Sequence, residues 1–180
     1  MEEFMKIVVL TGSPHKNGTS NTLVQEFVKG ATENGHEVEI IDIAKSNIHP
    51  CLACEACGMN GNCVQKDEGN EILNKILNSH AIVFATPVYY FGMSAQLKMI
   101  IDRFYARNRA ITSKHLKAAL ITTAWNNDNV VMSAIEKHFE IIFNYLNFEN
   151  RGMILAKGSG YVGMIPDEYY KQAYELGKNI

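Results

Sequence analysis

Residues 5–23, MKIVVLTGSPHKNGTSNTL, carry the reading on which the rest of the chain depends. A short apolar run over residues 6–10 enters a loop rich in Gly, Ser, Thr and Asn, and that loop opens an apolar stripe led by Leu23 and Phe27. The run reads as a buried strand and the stripe as an amphipathic helix. A strand delivering its carboxyl end into a hydroxyl-rich loop at a helix N-terminus makes an anion site. The loop N–H groups point outward unpaired, and the helix dipole adds partial positive charge. The expected ligand group is a phosphate.

Spacing excludes two familiar phosphate loops. A P-loop needs G-x-x-x-x-G-K-[ST], but five residues separate Gly12 from Gly18, and Thr19 follows where Lys is required. The dinucleotide fingerprint G-x-G-x-x-G fails at Pro14, which stands where its second Gly would be. What remains is a loop whose Ser13, Thr19, Ser20 and Thr22 hydroxyls, with backbone amides, can surround a dianionic phosphate. The plainer alternative is a strand–turn–helix junction capped by Ser20 or Asn21.

Outward from this stretch, strands and helices alternate. The first helix is expected over residues 21–33, closed by Asn34-Gly35 with Gly35 in the left-handed position. A second strand follows over 37–43, a helix over 68–78, and a continuously apolar strand, AIVFAT, from Ala81. Such continuity suits a strand buried on both faces. A helix is expected over 94–105, a strand from Ala118, a helix over 130–146, a strand RGMILA from Arg151, and a last helix from Asp167. Five strands alternating with five helices imply an α/β three-layer sandwich around a parallel sheet with right-handed crossovers, of expected order 2-1-3-4-5. Ligands of such sheets bind beyond the carboxyl ends of the strands at the switch point. Segments 12–22, 87–94 and 123–127 are expected to meet there.

With 180 residues, 47% hydrophobic and 20% charged, the chain suits one domain over residues 1–180, with a cysteine-bearing loop inserted at about 49–66. A net charge of −2 argues against nucleic acid as a partner. No apolar run approaches the ~20 residues of a membrane span, and the acidic start is no signal peptide. A cytoplasmic location is expected. All four cysteines fall between residues 51 and 63, a clustering that favours a metal or redox role over structural disulfides.

The motifs GSPHKNGTSNTL and ATPVYYFGMSAQLKMIIDR together resemble the NADPH-dependent FMN reductase branch of the flavodoxin-like superfamily, and the cysteine segment between them is similar to its iron–sulfur flavoprotein members. The resemblance implies a flavodoxin-like fold and bound FMN. Ser13, His15, Thr19, Ser20, Asn21 and Thr22 would line the phosphate. His15 stands where relatives often carry Arg, and Lys16 is the residue expected to supply the charge instead. Pro87, Val88, Tyr89, Tyr90, Phe91 and Gly92 would run along the isoalloxazine, with Thr123, Ala124 and Trp125 on the other flank. A flat aromatic ring needs an apolar slot with few polar contacts, which Tyr89, Tyr90, Phe91 and Trp125 can build. No catalytic side chain is assigned, because the flavin carries the chemistry while the protein supplies binding, orientation and electrostatics.

Cys51, Cys54, Cys57 and Cys63 read C-x₂-C-x₂-C-x₅-C, close to the bacterial ferredoxin run but without its final Pro. The resemblance implies a [4Fe–4S] cluster on these four. Zinc, which usually draws on two separated pairs, and plain thiols or disulfides are the other readings. The expected activity is reduction of a small acceptor, such as a quinone or flavin, with electrons from NAD(P)H or a ferredoxin. A non-enzymatic electron carrier and a flavin-free redox or metal sensor are the alternatives. Exposed aromatics and Met93 point to a subunit interface near the flavin, and the resemblance implies a homodimer or homotetramer.

Overall fold

The side chains of β1 (Lys6–Thr11), buried at five of its six positions, divide between two faces. Ile7 and Val9 enter one apolar cluster, Val8 and Leu10 another. That division follows from the two-residue repeat of an extended chain, and it makes β1 the centre of a three-layer molecule. The computed structural model describes residues 4–180. In it β1 lies between β2 (Glu37–Asp42) and β3 (Ala81–Pro87), followed by β4 (Lys117–Thr123) and β5 (Glu149–Ala156). The sheet is parallel throughout, in the order β2-β1-β3-β4-β5. This is the flavodoxin-like arrangement expected from the alternation.

Helices α1 (Thr19–Glu33) and α6 (Asp167–Lys178) cover the Ile7/Val9 face. Helices α2 (Gly69–Leu77), α3 (Ala95–Arg103) and α5 (Val130–Tyr145) cover the other, where Phe104, Phe139 and Phe143 pack with tilted rings around Phe84. α1 and α6 cross at two glycines. A Cβ on Gly30 would stand 2.0 Å from the Tyr174 carbonyl oxygen, and one on Gly177 would stand 1.9 Å from that of Phe27. Gly35 takes the left-handed conformation (φ +86°) after the Asn34 cap, as expected.

Two boundaries differ in an informative way. α1 begins at Thr19, two residues early, with Gly18 as its N-cap and no capping side chain. Neither Ser20 nor Asn21 caps the helix; both lie inside its first turn. The helix expected over 94–105 stops at Arg103 and gives way to a 3₁₀ turn (Phe104–Arg107) and a short α4 (Asn108–Thr112), so the described residues hold six α-helices rather than five. Phe104 and Ala106 are both 3% exposed. In an α-helix residues two apart face about 160° away from each other, and in a 3₁₀ helix about 120°. The tighter turn lets both reach the core.

Candidate functional site

The loop after β1 is drawn against the start of α3. The Gly12 amide donates to the Ala85 carbonyl (2.8 Å), and Ser94 Oγ donates to the Gly12 carbonyl (2.7 Å). A Cβ on Gly12 would fall 2.6 Å from both Ser94 Oγ and Leu97 Cβ, so only glycine permits this approach. The chain then turns through His15 to Gly18, whose amide donates back to the His15 carbonyl (3.0 Å). The amides of Thr19, Ser20 and Asn21 sit in the first turn of α1 with no side chain capping them. The Ser20 hydroxyl is buried and has no hydrogen-bond partner. A buried hydroxyl without a partner costs free energy until an acceptor arrives.

A second wall comes from residues 87–94. Tyr89 and Gly92 exchange both backbone hydrogen bonds (2.9 and 3.1 Å) around a two-residue turn. The central residues, Tyr90 (φ +47°) and Phe91 (φ +64°), both have positive φ, the pattern of a type I′ turn. Bulky aromatics rarely adopt it. Thr86 and Ser94 hold the turn's base, the Ser94 amide donating to Thr86 Oγ1 (3.0 Å). The Val88 amide donates to the Thr123 carbonyl (2.8 Å), locking this wall to the end of β4.

A third wall follows β4 and β5. The Ala124 amide donates to the Ala156 carbonyl (3.0 Å) and the Ser159 amide to the Ala124 carbonyl (2.7 Å). Trp125 and Tyr161 meet edge to face, 4.6 Å between centroids. A Cβ on Gly160 would lie 2.5 Å from the Trp125 ring, so the indole rests on bare backbone there. Thr19 Oγ1 donates to Thr123 Oγ1 (2.8 Å), closing the first wall on the third.

These walls enclose a cleft of about 470 Å³ at the carboxyl ends of β1, β3 and β4. Of the residues expected there, Ser13, His15, Thr19, Ser20, Pro87, Val88, Tyr89, Thr123, Ala124 and Trp125 line it. Lys16, Asn21 and Thr22 do not. They border a separate groove on the β2 side of the loop, where Asn21 Nδ2 donates to the His15 and Lys16 carbonyls and Thr22 Oγ1 to that of Gly18. The Asn21 and Thr22 side chains hold the loop's shape. Among the described residues no lysine, arginine or carboxylate lines the cleft, so the groups it offers an anion are N–H and hydroxyl donors.

The expected aromatic slot is also rearranged. Tyr90, fully exposed, Phe91 and Gly92 are absent from the cleft lining, because the left-handed turn carries the two aromatic rings outward. Tyr161 takes their place beside Tyr89 and Trp125. The sequence reading missed Ser159 to Val162 because that segment carries no motif. The rule that ligands meet strand carboxyl ends, applied to β5, would have found it.

All four cysteines are free thiols and line one hollow, together with Arg103, Tyr105 and Ala106. Among the described residues no three His, Cys, Asp or Glu side chains come together as ligands of one ion. The loop backbone is left-handed at Ala53 (φ +51°), Glu55 (+57°), Gly58 (+59°) and Met59 (+62°). Asn70 clasps Cys63 by both backbone groups: the Cys63 amide donates to Asn70 Oδ1 (2.8 Å), and Asn70 Nδ2 donates to the Cys63 carbonyl (2.9 Å).

Behind the hollow lies a buried ion pair. Arg103 Nη1 and Nη2 donate to the two Asp67 oxygens (2.7 and 3.0 Å), with both side chains 1% exposed. Burial pushes the Asp67 carboxyl pKa up. The Arg103 guanidinium and the His49 and Gly69 amides overcome that and hold it well below the usual carboxylate range.

A family model, NADPH-dependent FMN reductase, matches residues 5–148. The chain belongs to that family. An iron–sulfur flavoprotein of Archaeoglobus fulgidus is 32% identical over 182 residues, covering 98% of this chain and 79% of its own. An iron–sulfur flavoprotein of Methanocaldococcus jannaschii is 39% identical over 99 residues, 55% of this chain; the chain spans only 51% of that relative's length. Among solved structures, an NAD(P)H:quinone oxidoreductase from Methanothermobacter marburgensis superposes with a TM-score of 0.77 at 19% identity, covering 98% of this chain and 96% of its own. That likeness is one of fold.

Proposed function

We propose that this chain is an FMN-dependent oxidoreductase that takes electrons from NAD(P)H, or from a ferredoxin, and reduces a small acceptor such as a quinone or a flavin. The observation that carries the reading is the partnerless, buried Ser20 hydroxyl at the uncapped N-terminus of α1, facing a cleft walled by Tyr89, Trp125 and Tyr161. A phosphate accepts from Ser20 Oγ and the first-turn amides, and an aromatic ring fits between the apolar walls. Bound there, FMN supplies the electron-transfer chemistry. Ser13, His15, Thr19 and Ser20 hold its phosphate end, Pro87 to Tyr89 and Thr123 to Trp125 flank its ring, and Gly160 keeps Trp125 in place. Neutral donors suit a dianion without fixing a counter-charge beside the flavin.

The four cysteines are assigned to a [4Fe–4S] cluster. Their donor set is four thiols on one hollow, too dispersed for a single ion, which gathers its sulfurs to within about 4 Å of one another at ordinary Zn–S lengths of ~2.3 Å. A cuboidal cluster spreads its ligands over different irons. Left-handed residues at Ala53, Glu55 and Met59 turn backbone N–H groups as clusters of this kind require. The hollow is about 20 Å³, its rim at residues 52–55 is exposed, and Cys63 on its wall is clasped by Asn70. Free thiols fit a cytoplasmic setting, and no helix among the described residues is long and apolar enough to cross a membrane. The outward Tyr90 and Phe91 are assigned to a subunit interface in a homodimer or homotetramer.

The test is an absorption spectrum of protein purified without oxygen, before and after NAD(P)H and then a quinone. Flavin bands that bleach with NAD(P)H and return with quinone are expected, over a broad sulfur-to-iron shoulder. Flavin bands inert to NAD(P)H would leave an electron carrier fed by a protein donor. A colourless protein overturns the flavin reading.

A further inference from the structure

Arg103 is the largest side chain that is almost fully buried, at 1% exposed, and nothing in the FMN cleft uses it. It lines the cysteine hollow. Its Nη atoms are committed to Asp67, and Nη1 also donates to the His49 carbonyl (3.0 Å). Its Nε–H is buried without a hydrogen-bond partner. Cys63 shares the lining of that hollow with Arg103, and its sulfur favours the charged guanidinium. The approach is tight on the other side as well, since a Cβ on Gly69 would meet Arg103 Nη2 at 2.8 Å. A fully buried guanidinium with its Nε–H unpartnered, lining a hollow shared with four thiols, is an arrangement that packing alone does not call for.

We propose that Arg103 is the positioning residue of the cysteine site, bracing the loop through Asp67 and the His49 carbonyl and donating to the Cys63 sulfur so that the reduced state of a bound cluster is favoured. Asp67 fixes the plane of the guanidinium as a second-layer carboxylate fixes a metal-ligating histidine. One-electron reduction adds negative charge and takes up no proton, so a donor on a ligand sulfur raises the midpoint potential. Arginine suits the role better than lysine because its fork binds Asp67 with two N–H groups and leaves Nε–H for sulfur.

This rests on the cluster reading above, and the experiment separates the two. The full chain is reconstituted anaerobically with ferrous iron and sulfide as wild type, Arg103→Lys, and Arg103→Gln combined with Asp67→Asn, a pair that leaves no buried charge unpaired. Iron, sulfide and FMN per chain are measured, and the cluster is titrated with dithionite under EPR. The double variant is expected to hold FMN like the wild type while its reduced-to-oxidised ratio at the wild-type midpoint falls about tenfold, a shift of ~59 mV for a one-electron couple. Arg103→Lys, which keeps the charge, shifts less. Loss of iron with FMN retained also supports the bracing role, whereas an unchanged midpoint in the double variant overturns the proposal and leaves the cluster reading standing. Should the double variant lose FMN too, wild type labelled with ¹⁵N-arginine decides the matter. An arginine coupling to the reduced cluster that is missing in Arg103→Lys supports the proposal, and none in wild type overturns it. Wild type that holds FMN but no iron removes the cluster reading and this inference together, with the flavin assignment intact.

Discussion

Ser20 and Asp67 show how far a single side chain can be read before it is placed. Ser20 was visible in the sequence as one hydroxyl in a polar loop; that it is buried and partnerless emerged from the fold. A hydrogen bond from it to a charged phosphate is worth about 1.5–3 kcal/mol. Ser20→Ala should therefore weaken FMN binding roughly ten- to hundred-fold, read by fluorescence titration of the apoprotein, with little change in thermal stability. Asp67 and Arg103 left no trace in the sequence as a pair, since nothing in a local pattern couples two charges 36 residues apart. Asp67→Asn leaves a buried guanidinium uncompensated and should cost about 3–5 kcal/mol. The folded carboxyl titrates below its unfolded value, so that stabilisation is complete above the ordinary carboxylate pKa of about 3.9 and is lost as pH falls toward the folded one. Urea unfolding should show a wild-type advantage over Asp67→Asn that is flat near neutrality and shrinks below about pH 4.

At the scale of elements, the strands and helices followed the apolar periodicity, and the departures occur where tertiary contacts outweigh it. The helix from Ala95 breaks into a 3₁₀ turn because two residues that an α-helix would set apart both reach the core. The turn at Tyr89–Gly92 is the sharper case. Three consecutive aromatics suggested a slot, yet left-handed Tyr90 and Phe91 aim outward. Left-handed backbone at non-glycine residues costs on the order of 1–3 kcal/mol each and persists where function demands it. Replacing Tyr90 with Asn and Phe91 with Gly, the pair that type I′ turns prefer, should raise the conformational stability of the isolated subunit by about 1–3 kcal/mol. The same change should lower the oligomeric state seen by sedimentation velocity. An oligomer unchanged by it would leave the exposed aromatics without the interface assigned to them.

For the molecule as a whole, α1, which begins at the cleft, is held down by α6 through Gly30 and Gly177. Gly30→Ala would drive a methyl into the Tyr174 carbonyl, which cannot yield as a side chain would. The expected destabilisation is about 1–3 kcal/mol, toward the upper end, with weaker FMN retention on gel filtration as the start of α1 shifts; urea denaturation measures the first. The sequence by itself determined the order of elements, the parallel sheet, the carboxyl-end location of the cleft and the clustering of the cysteines. These follow from two- and 3.6-residue repeats and from turn chemistry, which are set by the local backbone and can be read within a short window. Only the tertiary structure decided that Asn21 and Thr22 brace the loop after β1 from outside the cleft, with Lys16 beside them, that Tyr161 rather than Tyr90 or Phe91 lines the cleft, and that Arg103 shares the cysteine hollow. Those outcomes depend on backbone handedness in loops and on long-range approach between strand ends, neither of which has a period along the chain.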